Sequence, residues 1–313
     1  MRNKISIVIP CYYSEKTIKP VISRVVKTIQ QDNKYDYEII CVNDGSTDGT
    51  YLMLKELAKD NPLIKIIDLS KNFGQHCAIM AGLNYITGDI VVCLDDDGEN
   101  PPEEMFRLIE KLEEGYDVVS VIYKKEQRNW IRKMGTRISM ATSHALIGMP
   151  QDVEINSYFA MKSFIAKEMI KYTNSYPFIA GLMLRITRNI GNVEIKRGSR
   201  IAGTSNYNFS KLLRLWLNGF TAFSEKPLQI ASIVGLLSSG IGILYAIAII
   251  VQKIIGNITV SGYSSIMAAI LIFSGLIMFF LGLLGEYIGR IYICINNAPQ
   301  FAIRETVNTE KEE

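Results

Sequence analysis

Residues 90–102 read IVVCLDDDGENPP. The apolar run has the length of one buried β-strand, and the glycine and prolines that end the stretch are turn residues. Because alternate side chains of an extended segment share a face, Asp95 and Asp97 can point the same way. Two converging carboxylates repel each other unless a cation lies between them, and hard oxygen ligands suit Mg²⁺ or Mn²⁺, which also bind substrate phosphates. The alternative is a solvated acidic turn that precedes a helix at Pro102.

On both sides of this stretch, short apolar strands alternate with segments of helical spacing. This alternation predicts an α/β fold with right-handed crossovers and a mainly parallel sheet, which binds ligands at the carboxyl ends of its strands. The predicted strands are Lys4–Ile9, Tyr37–Val42, Ile64–Leu69, Ile90–Leu94 and Asp117–Ile122, and the predicted helices are Glu15–Gln31, Thr47–Lys59, Gln75–Tyr85 and Pro102–Glu114.

Polar residues follow the second strand as well as the fourth, in the segment NDGSTDGT at 43–50. An aspartate at a strand end, such as Asp44, can accept hydrogen bonds from a base or a ribose hydroxyl. The alternative is a glycine turn with a helix N-cap. No GxGxxG follows the first strand and no GxxxxGK[ST] occurs, which disfavours a dinucleotide-binding dehydrogenase and a P-loop NTPase.

The composition limits the classes of protein further. Of 313 residues, 48% are apolar and 21% are charged, and 34 basic against 31 acidic side chains leave a net charge of +3. This balance disfavours nucleic-acid binding through bulk charge. The five cysteines show no metal-binding spacing and are typical of reduced core thiols in the cytosol.

The last third of the chain contains two long uncharged runs, 227–252 and 254–285. Each exceeds the ~20 residues that cross a bilayer. The alternative is a pair of buried core helices, but such helices rarely lack charged residues over this length. Basic residues precede the first run and follow the second, so the positive-inside rule predicts that both ends are cytosolic. Just before the first run, Leu212, Leu213 and Trp216 fall on one helical face, which favours a helix in the membrane interface over an ordinary surface helix.

Six motifs occur in one order along the chain. This order resembles family 2 glycosyltransferases with a GT-A fold, and among them the polyprenyl-phosphate glycosyltransferases, over nearly the whole chain to about Glu305. The motifs are IVIPCY (7–12), VNDGSTDGT (42–50), SKNFG (70–74), LDDD (94–97), RIAGTSNY (200–207) and LLGEYIGRIY (283–292).

The resemblance implies roles for individual residues. Asp95 and Asp97 would bind the divalent cation and the donor diphosphate, with Asp97 counted as catalytic. It also implies a nucleotide pocket, formed by Pro10, Tyr12, Asn43, Asp44 and Asp96. Arg197 and Arg200 would contact the lipid phosphate. The further catalytic residues would be Arg200, Ser205 and Glu154.

This chain also departs from the family pattern at three positions. Asn43 and Glu99 stand where the family usually has Asp and Gln. Ser157 stands where the family tends to have an aspartate proposed as a base, which leaves Asp152 and Glu154 as the nearby carboxylates. A phosphate monoester has a second pKa near ~6 and is largely anionic at pH 7, so a phosphate acceptor needs little help from a base.

The implied function is transfer of a sugar from a nucleotide-diphosphate sugar, with UDP favoured, to an undecaprenyl-type phosphate at the cytosolic face of the inner membrane. The active form would be a monomer or a homo-oligomer. The expected organisation is a cytosolic GT-A catalytic domain (1–207), an amphipathic interfacial helix (208–226), a two-helix transmembrane hairpin (227–290) and a cytosolic tail (291–313). Partners would be the donor, the lipid acceptor and the bilayer, without nucleic acid.

Two other functions remain open from the residues. A processive polysaccharide synthase shares the core but requires a QxxRW segment, and QRNW at 127–130 does not fit that spacing. A non-catalytic membrane protein that binds sugars would be expected to have lost acidic residues, whereas Asp44, Asp95 and Asp97 are all present.

Overall fold

A computed structural model of the chain describes residues 3–32, 34–124, 149–150, 153–201, 262–296 and 298–309, with isolated positions between 228 and 255. The chain divides into two compact units, one formed by Met1–Leu213 with Asn297–Glu313 and the other by Arg214–Asn296. Several predictions fall outside the described residues. These are the predictions for Asp152 and Ser205, for the interfacial helix and for most of the first membrane span.

The described part of the first unit begins with the alternation that the sequence predicts. The elements are β1 (Lys4–Cys11), α1 (Ile18–Asp32), β2 (Asp36–Asn43), α2 (Thr50–Asp60), β3 (Ile64–Leu69), α3 (Gln75–Leu83), β4 (Ile90–Cys93), α4 (Met105–Glu113) and β5 (Val118–Tyr123), with one short 3₁₀ turn at Pro102–Glu104. The five predicted strands and four predicted helices are therefore confirmed, with small shifts at their ends.

Further elements were not predicted. They are β6 (Phe159–Lys162), α5 (Ser163–Met169), α6 (Ile179–Ile186), β7 (Ile190–Ile195) and, after the second unit, β8 (Ile303–Val307). α1 also begins at Ile18 rather than Glu15, because the Ser14 carbonyl accepts hydrogen bonds from the amides of Thr17 and Ile18 and forms a turn there.

All eight strands belong to one sheet, in the order β7-β5-β6-β4-β1-β2-β3-β8. β1 pairs in parallel with β2 and β4, β2 with β3, and β5 with β7. β6 lies antiparallel between β4 and β5, and β8 is antiparallel to β3. The sheet is mostly parallel, as the sequence predicts. The two antiparallel strands, β6 inside the sheet and β8 at its edge, bring in residues from distant parts of the chain.

Helices bury both faces of the central strands. On one face Ile5, Ile7 and Ile9 of β1 belong to a core that includes apolar residues of α1, α2 and α4. On the other face α3 lies so close that a Cβ at Gly82 would come within 2.6 Å of the Val8 side chain. Because both faces are covered, β1 is apolar at consecutive positions rather than at alternate ones.

The described part of the second unit is dominated by α7 (Tyr263–Ile295). Within it, Phe273–Ile295 is long and apolar enough to cross a membrane, and none of its most apolar window is buried. It is the one helix in the described part of the chain with this property. Two membrane helices were predicted, so the structure supports one of them.

Candidate active site

Three consecutive carboxylates follow β4 at the carboxyl end of the sheet. Asp95 accepts hydrogen bonds from Gln75 Nε2 at 2.6 Å and from Ser157 Oγ at 2.5 Å. Asp96 turns towards β1 and accepts hydrogen bonds from the backbone amide of Tyr12 at 3.1 Å and from the Ser14 hydroxyl. Asp95 and Asp96 therefore have different partners. The chain turns at Asp96 and Asp97 instead of continuing as the extended segment that the sequence predicts.

Ser157 reaches Asp95 because of the register of β6. Cys93 of β4 lies opposite Phe159 of the antiparallel β6. Asp95 is two residues past Cys93 and Ser157 is two residues before Phe159, so the two side chains meet beyond the strand pair. The sequence marked position 157 only as lacking a base. Its role as a donor to Asp95 follows from an antiparallel pairing that local patterns do not reveal.

The carboxylates of this cluster are held in an electrostatically unfavourable state. Burial raises the pKa of Asp95, against the hydrogen bond from Ser157, and the charge of Asp97 raises it further. Burial also raises the pKa of Asp96 to about 6, although Ser14 and Tyr12 donate hydrogen bonds to it. A cation bound beside these groups would relieve both the burial of charge and the repulsion.

Residues 196–201, after β7, pack against the loop at 97–99. The amide of Gly198 donates to the Glu99 carbonyl at 2.8 Å, and the amide of Ile201 donates to the Asp97 carbonyl at 3.0 Å. The backbones are so close that a Cβ at Gly198 would lie 2.5 Å from the Gly98 carbonyl oxygen. Glycine at 198 thus permits the approach that brings the neighbouring arginines to the carboxylates.

Both predicted phosphate-binding arginines lie at the acidic cluster. Arg200 forms ion pairs with Asp97 at 2.9 Å and Glu99 at 3.1 Å. Burial acts to lower the pKa of Arg200, but Glu99 and Asp97 outweigh it and raise this pKa. Arg197 lies 3.4 Å from Glu99 and stacks over the Tyr123 ring at 4.6 Å. The sequence implied a role for these arginines but not that they would contact the metal-binding motif.

The predicted nucleotide residues meet at the ends of β1 and β2. Pro10 is buried and lies beyond Val8, the last β1 residue that pairs with β4, so its missing N–H leaves no gap in that ladder. The Tyr12 ring is half exposed. Asp44 accepts hydrogen bonds from the amides of Phe73 at 2.7 Å and Gly74 at 2.9 Å. These contacts join the loop after β2 to the loop after β3.

Gly45 makes this junction possible. Its φ of +63° lies in the left-handed region, and a Cβ there would come within 2.3 Å of the Lys71 backbone. Asn43, beside it, donates to Asp68 of β3 at 2.7 Å and is buried. Asn43 therefore lies at the base of the loop, with its amide group bound inside the protein.

Glu154 lies apart from the other candidates. Its backbone is held by Asn192 of β7, which accepts from the Glu154 amide at 3.0 Å and donates to its carbonyl at 2.7 Å. Among the described residues, no hydrogen bond joins its carboxylate to Asp95 or Asp97.

The acidic cluster fits a metal that is shared with a substrate. Within the described residues no group of three His, Cys, Asp or Glu side chains could hold a metal ion alone. Asp95 and Asp97 offer two carboxylates, and Mg²⁺ commonly binds one or two carboxylates together with substrate phosphates and water. Nearby, Asn100 accepts a hydrogen bond from Tyr123, and a side-chain hydrogen bond from Asn100 acts to lower the pKa of Asp95.

Comparison with known proteins shows that the chain belongs to a family of sugar transferases. Residues 6–213 match the family model described as glycosyl transferase family 2, and residues 226–291 match the model described as the GtrB C-terminal hairpin. The chain is 36% identical over 313 residues to the undecaprenyl-phosphate 4-deoxy-4-formamido-L-arabinose transferase of Proteus mirabilis, covering 99% of this chain and 95% of that protein. It is 34% identical over 304 residues to the bactoprenol glucosyl transferase of Shigella phage SfII, covering 97% and 98%.

Among solved structures, the fold is similar to that of glucosyl-3-phosphoglycerate synthase from Mycobacterium tuberculosis in complex with Mn²⁺ and UDP-glucose. The TM-score is 0.55 and the identity is 20%, over 70% of this chain and 77% of that chain. At this identity the likeness concerns the fold of the sheet unit.

Proposed function

Because the chain belongs to glycosyl transferase family 2, we propose that it transfers one sugar from a nucleoside-diphosphate sugar to the phosphate of an undecaprenyl-type lipid. It is a glycosyltransferase with a GT-A-like α/β sheet unit. The acceptor class rests on relatives that match almost end to end and are named for undecaprenyl phosphate or bactoprenol. UDP is the proposed donor nucleotide and Mg²⁺ or Mn²⁺ the proposed cofactor.

One observation carries the reaction type: two arginines face the carboxylates at the end of β4. Asp95 and Asp97 would hold the divalent ion, which supplies charge stabilisation for the departing nucleoside diphosphate. Arg200 contacts Asp97 and Glu99, so its cationic group lies where it can also bind a phosphate oxygen. Acidic groups for a metal and basic groups for a phosphate thus lie side by side.

In the proposed reaction an oxygen of the acceptor phosphate attacks the anomeric carbon of the donor sugar. A bond forms between that oxygen and carbon, and the bond from the carbon to the donor diphosphate breaks. The nucleoside diphosphate leaves with the electron pair. Because a phosphate monoester is already largely anionic at pH 7, no proton has to be removed by a side chain. Glu154 and Ser205 remain proposed catalytic residues, and Ser157 orients Asp95.

The position of β8 supports a membrane hairpin. β8 pairs with β3, so the chain belongs to the sheet unit both before residue 201 and after residue 298. A chain that leaves one side of a membrane and returns to it crosses an even number of times. With α7 as one proposed crossing, this parity supports the uncharged run at 227–252 as the second proposed crossing. The proposed location is the inner membrane, with the sheet unit cytosolic, residues 208–226 at the interface, and oligomers of this chain.

Transfer can be tested in membranes from cells that express the chain. They are incubated with radiolabelled UDP-sugars and undecaprenyl phosphate, and the lipid extract is separated by chromatography. Wild type is expected to produce a lipid that carries one labelled sugar, and Asp97→Ala is expected to produce none. The exposed Asp36 at the opposite end of the sheet provides the control, since Asp36→Ala should retain full activity.

The other functions would give different products. Label in long polymers would indicate a processive synthase, and donor binding without any transfer would indicate a sugar-binding protein. Full activity of Asp97→Ala would contradict the role of the acidic cluster.

A further inference from the structure

Arg304, on the strand that follows the second unit, contacts the base of the nucleotide loops. Its Nη1 lies 3.2 Å from Asp68 Oδ2, and its Nη2 donates to the Ser70 carbonyl at 2.7 Å. Both partners belong to the segment that leads from β3 into the loop at 70–74. The two branches of one guanidinium therefore hold a side chain and a backbone carbonyl of the same segment.

Asp68 is a fully buried carboxylate at the centre of this arrangement. A buried charge is costly unless it is paired and hydrogen-bonded. Its Oδ1 accepts from Asn43 Nδ2 at 2.7 Å, and within the described part of the chain Arg304 is the cationic side chain that lies within 4 Å of it. Removing Arg304 would leave the carboxylate without its counter-charge.

Asn43 extends the contact to the loop after β2. Its Oδ1 lies 3.4 Å from the amide of Ser46, across the turn that contains Asp44. Arg304, Asp68 and Asn43 thus form a relay that ends at the loop 43–46, while the contact with Ser70 ends at the loop 70–74. Asp44 joins these two loops, and Asn43 and Asp44 are two of the residues proposed for the nucleotide.

The contact with Asp68 also accounts for an amide at position 43. A carboxylate at that position would lie against Asp68 with no donor between them. An amide donates where a carboxylate would repel.

We propose that Arg304 is a positioning residue for the donor nucleotide, acting through Asp68 and Asn43, so that the strand after the membrane segment is part of the donor site. This proposal rests on the proposed function for the identity of the ligand. It requires no contact between Arg304 and the nucleotide itself.

The control residue lies next to Arg304 on the same strand. Glu305 contacts α2 instead of the loops, accepting from Lys55 Nζ at 2.8 Å and from the Tyr51 hydroxyl at 2.5 Å. Glu305→Gln weakens the attachment of β8 without touching the relay. If nucleotide binding depends on the attachment of β8 in general, both variants should bind the nucleotide more weakly. If it depends on the relay, only Arg304→Gln should bind it more weakly.

The test measures nucleotide binding by calorimetry on the purified full-length chain with Mn²⁺ and no acceptor. The probe is whichever of UDP, GDP, CDP and dTDP the wild type binds most tightly. Arg304→Gln is expected to weaken binding about 10-fold, equivalent to ~1.4 kcal/mol, Arg304→Lys to weaken it less, and Glu305→Gln to change it less than 2-fold. In transfer assays KM for the donor should rise in Arg304→Gln while KM for the lipid stays constant.

A double-mutant cycle separates positioning from general destabilisation. If Arg304 acts through Asn43, adding Arg304→Gln to Asn43→Ala should cost far less than Arg304→Gln alone. Wild-type nucleotide affinity in Arg304→Gln, additive losses in the cycle, or an equal loss in Glu305→Gln would overturn the proposal. If Arg304→Gln fails to fold, Arg304→Lys decides by the same measurements. Because binding is measured without acceptor, a failure of lipid transfer in wild type would overturn only the proposed acceptor.

Discussion

Glu38 at the amino end of the sheet and Asp95 and Asp96 at its carboxyl end have pKa values shifted in opposite directions. At the amino end, Glu38 of β2 is buried and lies 2.8 Å from Lys65 Nζ and 3.0 Å from Lys4 Nζ. Burial acts to raise the pKa of Glu38, but hydrogen bonds from Lys65, Ser6, Thr87 and Lys4 outweigh it and lower this pKa to about 2. At the carboxyl end, burial raises the pKa values of Asp95 and Asp96.

The difference separates groups that stabilise the fold from groups that bind ligands. A carboxylate surrounded by donors and cations contributes to stability and has little capacity left for a ligand. A carboxylate that is buried beside other carboxylates costs stability until a cation or another donor arrives. Glu38 is a group of the first kind, and Asp95 and Asp96 are groups of the second kind.

The largest expected effect is on activity at the carboxyl end. Asp95→Asn should lower sugar transfer by about 10³-fold, because one of two carboxylates for the metal is lost. Its thermal midpoint should match or exceed that of wild type, since the substitution removes a buried charge that repels Asp97. Transfer assays and melting curves of the purified protein check both parts. A midpoint several degrees below that of wild type would contradict the claim that the buried charge of Asp95 costs stability.

The next effect is on stability at the amino end. Glu38→Gln should lower the free energy of unfolding by about 3 kcal/mol, because Lys4 and Lys65 lose their buried partner. Urea unfolding of the purified protein measures this. Glu168→Gln, in an exposed ion pair with Lys171, should cost less than about 0.5 kcal/mol. Equal losses in the two variants would contradict the stabilising role of the buried network.

The stabilising effect of Glu38 should also depend on pH, and Glu38→Gln measures this dependence. The pKa of Glu38 is about 2 in the folded protein against an ordinary 4.5, so its stabilising contribution is complete above pH 4.5 and is lost as the pH falls towards 2. The difference in melting temperature between wild type and Glu38→Gln should be constant from pH 8 to pH 5 and should narrow below pH 4.5. If the difference in melting temperature instead grew as the pH fell, the lowered pKa of Glu38 would be contradicted.

The smallest expected effect is the loss of stability on replacing Asp117, which precedes β5 at the amino end of the sheet. It lies 3.0 Å from Lys162 Nζ and 2.9 Å from Thr187 Oγ1 and is partly exposed. Burial acts to raise the pKa of Asp117, and hydrogen bonds from Lys162 and Thr187 lower it overall. Asp117→Asn should cost about 1 kcal/mol in urea unfolding, with unchanged transfer per folded molecule. A loss as large as that of Glu38→Gln would show that burial is not the deciding variable.

Local patterns predicted the first half of the sheet and its acidic cluster. Apolar strands followed by amphipathic helices identify themselves within a few residues, so β1 to β5 and α1 to α4 were found. β6 and β8 have four and five residues, and β8 reads IRETV with three polar side chains. Such strands form because a partner edge is available, and their sequences carry little signal of their own.

The candidate site divides in the same way. Asp95 and Asp97 follow an apolar strand, so the sequence alone marks them as candidates. Ser157 and Gln75, which hold Asp95, come from segments 62 and 20 residues away. Asn43 stays a predicted nucleotide residue, and only the structure shows that its amide group donates to Asp68.

Three features could be predicted from residues that are close in the chain: the alternation of strands and helices, the carboxylates after strand ends, and an apolar last third that suits a membrane. The distant residues that complete the acidic cluster, and the return of the final strand to the sheet at β3, are visible only in the folded chain. Those contacts depend on strand register and on edges left open by the rest of the fold, and neither is written in a local pattern.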